Sequence, residues 1–144
     1  MQQRLTAYIS LSTNKRKLLA PVVSVISDAL AGFNLEPLVF TDRYLFTPIQ
    51  EQEMMHQALK DIDGCSLFIS ETSDKGITTG VEVGYAKAKG KPVIYLRHQS
   101  AEHTDSVFGI SDFQIIYANG TDLKNKLTEV LSKIYSPPDT VQQG

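Results

Sequence analysis

The stretch from Cys65 to Leu96, CSLFISETSDKGITTGVEVGYAKAKGKPVIYL, constrains the fold more than any other part of the chain. It contains two apolar runs of strand length, at 66–70 and 93–96. Between them lie a polar loop over 71–79 and a helical segment that ends at Gly90, since glycine commonly follows the last turn of a helix. Two buried strands joined through a helix form a βαβ unit with a right-handed crossover.

Glu82 lies within this unit and is the first candidate functional residue. Thr78 or Thr79 would cap a helix that begins near Gly80, which places Glu82 in the first helical turn. Ligands of open α/β sheets bind just outside the carboxyl ends of the strands, where this turn would lie. A carboxylate there is also expected to stay ionised, because the helix dipole favours negative charge at the N-terminus.

The rest of the chain predicts the same alternation of strands and helices. Further strands are expected at 5–10, 35–40 and 113–117, and further helices at about 14–33, 48–62 and 122–135. Pro21 lies inside the first helical pattern and predicts either a kink there or a true start near Leu19. The segments 41–47 and 97–112 are expected to be irregular.

Five strands alternating with helices predict a doubly wound α/β fold with a parallel sheet. We expect a single-domain, three-layer sandwich that is flavodoxin-like (Rossmann-like), with the strand order 2-1-3-4-5. The domain would span residues 1–136, and the polar tail at 137–144 is expected to be disordered.

The strand order predicts which side chains meet, because its switch point lies between strands 1 and 3. Ser10 and Ser12 at the end of strand 1 would then share a crevice with the loop from Glu71 to Gly80, with Glu82 on its wall. The serines are ordinary turn residues or contacts to phosphate or ribose. Asp42 follows strand 2 and either contacts a base or belongs to a solvated loop.

Composition excludes several other classes. The 144 residues are 42% hydrophobic, which suits one domain with a core, and the net charge of −2 gives no case for nucleic acid or an anionic membrane. The single cysteine, Cys65, excludes a disulfide framework and a cysteine-based zinc site. The three histidines show no metal-ligand spacing, so no metal and no cofactor are expected. With no signal peptide before the first strand and no long apolar run, we expect a cytoplasmic protein.

The segment GVEVGYA at 80–86, followed by GKPV at 90–93, resembles the G-x-E-x-G-Y-A…G-K-P-V signature of the nucleoside 2-deoxyribosyltransferase superfamily. Within it, the chain looks most like the small 2′-deoxynucleoside 5′-phosphate N-hydrolases, and the likeness covers most of the chain. Strand 1 ending in Ser12 resembles the family's nucleotide-binding first loop. Glu71 matches an acidic residue at the same offset before Glu82 in the hydrolases.

The resemblance implies an N-glycosidase or deoxyribosyltransferase in which Glu82 attacks the anomeric carbon and water or a second base resolves the ester. Its small-molecule partner would be a nucleoside or nucleotide. The resemblance also implies a homodimer or larger assembly, in which Ser106 could reach the phosphate site of a partner subunit. Tyr85 of the signature is a candidate contact as well, or a half-buried packing residue. The candidate substrate-binding residues are Ser10, Ser12, Asp42, Glu71, Gly80, Tyr85 and Ser106.

The chain departs from the family at two acidic positions. Counted from Glu71, the usual carboxylates fall on Ala58 and Ser66, and neither side chain can protonate a leaving base. Leu11 also replaces the glycine of the first loop. The sequence therefore leaves two functions open, which are an N-glycosidic enzyme and a catalytically impaired nucleotide-binding or sensing module of the same fold.

Overall fold

The computed structural model describes residues 5–12, 15–73, 77–102 and 105–135. The elements are β1 (Leu5–Ser10), α1 (Ala20–Ala31), β2 (Leu35–Val39), α2 (Phe40–Arg43), a 3₁₀ turn (Pro48–Gln50), α3 (Glu51–Gly64), β3 (Leu67–Glu71), α4 (Ile77–Ala88), β4 (Val93–His98), α5 (Asp105–Ile110), β5 (Phe113–Tyr117) and α6 (Gly120–Ile134). Parts of the predicted first turn (13–14) and of the loop after strand 3 (74–76), and the predicted tail (137–144), lie outside the described residues. No helix in the described ranges has both the length and the apolar character needed to cross a bilayer.

All five strands are parallel, in the order β2-β1-β3-β4-β5, which confirms the predicted fold class. One core lies between the sheet and helices α1 and α6. A second core lies on the other face, beneath α3, α4 and α5. The carboxyl ends of all five strands meet at one edge, which is where a ligand of such a sheet binds.

Alternation along β1 decides which polar side chains face which helices. Ala7 and Ile9 pack in the core beneath α1 and α6, whereas Tyr8 packs in the core beneath α3 and α4. Ser10 has the same parity as Tyr8 and therefore faces the same side. On β3, Phe68 shares the core of Tyr8, so Ser70 also faces α4, whereas Ile69 and Glu71 face α1 and α6.

The first helix shows which interpretation of Pro21 is correct. Helix α1 begins at Ala20, so Pro21 occupies its first turn, where no backbone hydrogen bond is lost. The start near Leu19 is therefore confirmed.

Two short helices lie where the sequence predicts irregular structure. Helix α2 comprises Phe40, the last residue of the predicted strand 2, and the first three residues of 41–47, and the six residues of α5 lie within 97–112. Helices of this length are too short to show an apolar period.

The start of α4 was predicted too late. The helix begins at Ile77 rather than near Gly80, so Thr78 and Thr79 lie inside it and Glu82 falls in its second turn. Glycine and threonine are weak helix formers, so the sequence of this segment predicted a loop. Glu82 is consequently further from the free N–H groups of the helix N-terminus than the sequence implied.

Gly90 ends α4 in a Schellman motif. Its φ is +75°, its N–H donates to the Lys87 carbonyl at 3.0 Å, and the Lys91 N–H donates to the Ala86 carbonyl at 3.0 Å. We expect Gly90→Ala to lower the free energy of unfolding by about 1–2 kcal/mol, because a Cβ is disfavoured at this φ. Gly64→Ala is the matched control. A Cβ meets nothing within 4 Å at either glycine, but the φ of Gly64 is not positive. Chemical denaturation measures both, and equal effects would contradict the prediction.

Candidate active site

Glu82 is a buried carboxylate at the carboxyl edge of the sheet, with only 5% of its surface exposed. Both of its oxygens accept hydrogen bonds from β1. The Tyr8 hydroxyl donates to Oε2 at 2.8 Å, and the Ser10 hydroxyl donates to Oε1 at 2.7 Å. Because a different hydroxyl holds each oxygen, the carboxylate has a fixed orientation relative to the strand.

The environment of Glu82 changes its acidity. Burial raises the pKa of Glu82, and the hydrogen bonds from Ser10 and Tyr8 lower it in part, because they favour the ionised form. The net change is upward, opposite to the effect expected from the helix dipole, because the side chain is removed from water. Burial and then the Glu82 charge raise the pKa of Tyr8, which keeps its hydroxyl protonated as a donor.

Ser70 brings a further hydroxyl to the face that carries Glu82. It pairs in register with Ser10 on β1 and with Tyr95 on β4, and it is fully buried. Its Oγ has no hydrogen-bond partner among the described residues. A buried hydroxyl without a partner costs about 1–3 kcal/mol. The floor of the site beside Ser10 therefore holds a polar group whose hydrogen bonds are unmade.

Glu71 does not join Glu82, although the sequence places both in one crevice. It is 1% exposed and lies on the opposite face of the sheet. It accepts hydrogen bonds from the Ser73 N–H at 2.8 Å, the Ser73 hydroxyl at 2.7 Å and the Tyr117 hydroxyl at 2.5 Å. The Ser73 hydroxyl in turn accepts the His98 N–H at 3.0 Å. Glu71 therefore ties together the ends of β3, β4 and β5 beneath α1 and α6.

Three other predicted residues lie at the carboxyl edge. Ser12 follows β1, and its carbonyl accepts the Lys15 N–H at 3.1 Å. Gly80 is exposed in the first turn of α4. Asp42 accepts two hydrogen bonds of 2.6 Å from the Arg16 guanidinium, which hold the pKa of this carboxyl below its ordinary value. The segments after β1 and β2 are thereby linked beside the site.

Tyr85 and Ser106 are positioned by other contacts. The Tyr85 hydroxyl donates to Asp63 at 2.8 Å, which ties α4 to the end of α3, on the side of the sheet's amino edge. Ser106 is exposed on α5, which packs beside α4. Of the two positions where the family carries acids, Ala58 is 1% exposed, and Ser66 lies at the amino end of β3, where its hydroxyl donates to the Thr6 carbonyl at 3.3 Å.

Tyr8 and Ser70 were missed as site residues. The predicted strands nonetheless indicated where these side chains lie. Residues 8 and 10 are two apart on strand 1, so Tyr8 and Ser10 face the same side of the sheet. The same alternation puts Ser70 on the face opposite Glu71. An aromatic residue in the middle of an apolar run is more often a core residue, so the sequence predicts Tyr8 to be a core residue.

No family model and no curated protein matches this chain. Solved structures do share its fold. A CMP N-glycosidase of Clostridium botulinum is 19% identical with a TM-score of 0.60, over 85% of this chain and 97% of that one. The 2-deoxyribosyltransferase of Bacillus psychrosaccharolyticus is 12% identical with a TM-score of 0.63, over 83% and 90% of the two chains. A 2-deoxyribosyltransferase of Leishmania mexicana is 15% identical with a TM-score of 0.59, over 87% and 97%. Similarity at these identities establishes the fold.

Proposed function

We propose that this protein cleaves or transfers the N-glycosidic bond of a nucleoside or deoxynucleoside, or of its 5′-phosphate, with Glu82 as the nucleophile. The observation that carries the proposal is the buried Glu82 carboxylate, held by the hydroxyls of Tyr8 and Ser10 at the ligand-binding edge of the sheet. Structures of the same fold that are named as an N-glycosidase and as 2-deoxyribosyltransferases support this reaction class.

The proposed reaction has two steps at the anomeric carbon. A Glu82 oxygen attacks this carbon as its bond to the base breaks, and the base leaves with the bonding electrons and takes up a proton from solvent. A water molecule, or a nitrogen of a second base, then attacks the same carbon, gives up a proton to solvent and releases Glu82 as a carboxylate. The negative charge of Glu82 also stabilises the oxocarbenium character of both transition states.

Tyr8 and Ser10 would act through Glu82 as positioning residues. Their hydrogen bonds orient the carboxylate before the substrate arrives, which lowers the entropic part of the barrier. They also favour the ionised form, which is the form that attacks. Ser10, Ser12, Gly80 and Asp42 are proposed to contact the substrate from the surrounding edge.

A second candidate function is nucleotide binding without cleavage. The observation that favours it is the absence of a carboxylate at Ala58 and Ser66, the positions of the family's acids. Ala58 is buried, and Ser66 lies at the edge of the sheet opposite to Glu82, so neither supplies a proton to a leaving base. In this reading, the cluster of Tyr8, Ser10 and Glu82 recognises sugar hydroxyls.

A panel of nucleosides and their 5′-monophosphates distinguishes the two functions. The purified protein is incubated with each compound, and free base is measured by chromatography. The enzymatic proposal predicts release of at least one base above the rate without protein. Binding detected by calorimetry, with no base released from any compound, would contradict the enzyme and support the binding module.

The predicted homodimer stays a prediction. Leu45 is 98% exposed and Ile49 is 89% exposed in the segment between β2 and α3, so they are apolar side chains that a second subunit would cover. A monomeric mass by light scattering at tens of micromolar would count against such an assembly and against a role of Ser106 in a partner's site.

A further inference from the structure

Ser70 lies next to Ser10 on the face of the sheet that carries Glu82. The two serines are in-register partners on β3 and β1, so their backbones are about 4.8 Å apart and their side chains point to the same side. Phe68, two residues earlier on β3, packs with Tyr8 in the core on this face, which fixes the direction of Ser70. The Ser10 hydroxyl donates to Glu82 Oε1 at 2.7 Å, so Ser70 adjoins the donor side of the carboxylate.

The Ser70 hydroxyl has no hydrogen-bond partner among the described residues, and Ser70 is fully buried. A buried hydroxyl that makes no hydrogen bond destabilises the fold, and alanine in its place would be free of this cost. The hydroxyl can turn about χ1 to other staggered positions, and its hydrogen rotates to suit an acceptor. The cost would therefore disappear in a state of the site that gives this hydroxyl an acceptor.

Burial decides which of the polar groups around Glu82 a ligand can touch. Ser10 and Glu82 each keep 5% of their surface exposed. Tyr8 and Ser70 have no exposed surface. A substrate therefore meets Ser10 and the carboxylate rather than the two hydroxyls beneath them. Ser10 has one hydroxyl hydrogen, so it cannot donate fully to Glu82 and to a sugar oxygen at the same time.

We propose that Ser70 is a positioning residue, whose hydroxyl donates to Glu82 Oε1 when Ser10 turns its own hydroxyl to the substrate. This inference rests on the proposed function of the Glu82 site and adds a residue to it. The exchange would keep one donor on each carboxylate oxygen, with Tyr8 on Oε2 throughout. Glu82 would thereby stay oriented and ionised in the complex with substrate, which is the state that reacts.

The test compares Ser70→Ala with wild type in two pH profiles of base release. The kcat/KM profile reports ionisations of the free protein, and the rate constant of a single turnover, with the protein in saturating excess, reports those of the complex. Ser70→Ala should lower kcat/KM about tenfold on its plateau but leave the acidic limb in place, because Ser70 has no partner in the free protein. The acidic limb of the single-turnover profile should move upward, because ionised Glu82 in the complex has lost a donor.

Two variants separate the hydrogen bond from packing. Ser70→Cys keeps a side chain of similar shape but has only a weak donor, so it should reproduce the effects of Ser70→Ala. Ser111→Ala removes another buried serine hydroxyl, which donates to the Val107 carbonyl at 2.5 Å, and both profiles should stay in place. In chemical denaturation without ligand, Ser111→Ala should lower the unfolding midpoint, whereas Ser70→Ala should not.

The titratable groups near Glu82 are the same in all these variants. Among the described residues, Tyr8 on β1 contacts Glu82. Burial and the Glu82 charge raise the pKa of Tyr8, and the charges of Asp61 on α3 and of Cys65 add to this effect. Because the Ser70 variants change no charge in this set, a shifted acidic limb reports the missing hydroxyl.

Several outcomes would overturn the inference. Wild-type limbs in both profiles of Ser70→Ala overturn it while leaving the proposed function standing. An equal movement of the kcat/KM limb also overturns it, since Ser70 would then already bond to Glu82 in the free protein. Wild-type profiles in Ser70→Cys beside altered ones in Ser70→Ala overturn it as well, because the effect then belongs to packing.

Calorimetry separates the failure of the inference from the failure of the enzymatic proposal. If the wild type releases no base, the affinity for the nucleosides and 5′-monophosphates that bind should still fall about tenfold in Ser70→Ala and stay unchanged in Ser111→Ala. That result would support the role of Ser70 and contradict catalysis. Equal affinities of wild type and Ser70→Ala for these compounds would overturn the role of Ser70.

Discussion

Glu82→Gln should reduce base release by roughly four orders of magnitude or more, the scale seen when a nucleophile is removed. Glutamine keeps the shape of the side chain but cannot form the glycosyl ester. Its amide can still accept a hydrogen bond from one of the hydroxyls of Tyr8 and Ser10 and donate to the other. We therefore expect substrate affinity, measured by calorimetry, to persist while initial rates measured by chromatography collapse.

Glu71→Gln is the matched control for this change. Glu71 is also a buried glutamate at the carboxyl edge, but it bonds to Ser73 and Tyr117 on the opposite face of the sheet. Its replacement should reduce stability, since it removes charge-assisted hydrogen bonds, and leave turnover per folded molecule within a few-fold of wild type. Equal losses of turnover in the two variants would contradict the assignment of Glu82 as the nucleophile.

Tyr8→Phe should lower kcat/KM about a hundredfold near neutral pH and move the acidic limb of its pH profile upward. The Phe ring keeps the stacking on Phe68, where the ring centroids are 5.3 Å apart, so the change removes only the hydroxyl. Loss of orientation accounts for the lower rate. The Tyr8 hydrogen bond lowers the pKa of Glu82, so its removal raises a pKa that burial has already raised. At a given acidic pH, a smaller fraction of Glu82 is then ionised and able to attack.

Two variants control the pH experiment. Ser10→Ala removes the other donor to Glu82 and should move the acidic limb in the same direction. Tyr117→Phe removes a buried tyrosine hydroxyl that donates to Glu71 on the other face, so the limb should stay in place. An acidic limb that is unmoved in Tyr8→Phe would show that the limb does not report the Glu82 carboxylate.

The fold could be predicted because the sequence carries its signals locally. Apolar runs of strand length alternate with helical patterns, and a parallel sheet follows from that alternation. The errors lie where local signals are weak. Helices α2 and α5 are too short for an apolar period, and the glycine and threonines at 78–80 concealed the first turn of α4.

The site could be predicted only in part, because it depends on the face of each strand. The predicted strand 3 ends at Ser70, so Glu71 was interpreted as a loop residue whose side chain could turn toward Glu82. In the structure, β3 continues through Glu71, and alternation along the strand places its side chain on the opposite face of the sheet. The sequence predicts Tyr8 to be a core residue, and its ring does pack in the core. Its second role, holding Glu82, is visible only from the hydrogen bond that its hydroxyl donates.

The mass of the protein during turnover tests the role of Glu82 most directly. The wild type is mixed with a substrate from which it releases base, quenched in acid at short times, digested and examined by mass spectrometry. The account predicts that the peptide containing Glu82 gains the mass of the sugar, or of the sugar phosphate, and that the adduct is absent in Glu82→Gln. Base release that is equally fast in Glu82→Gln, with no adduct on the Glu82 peptide of the wild type, would contradict it.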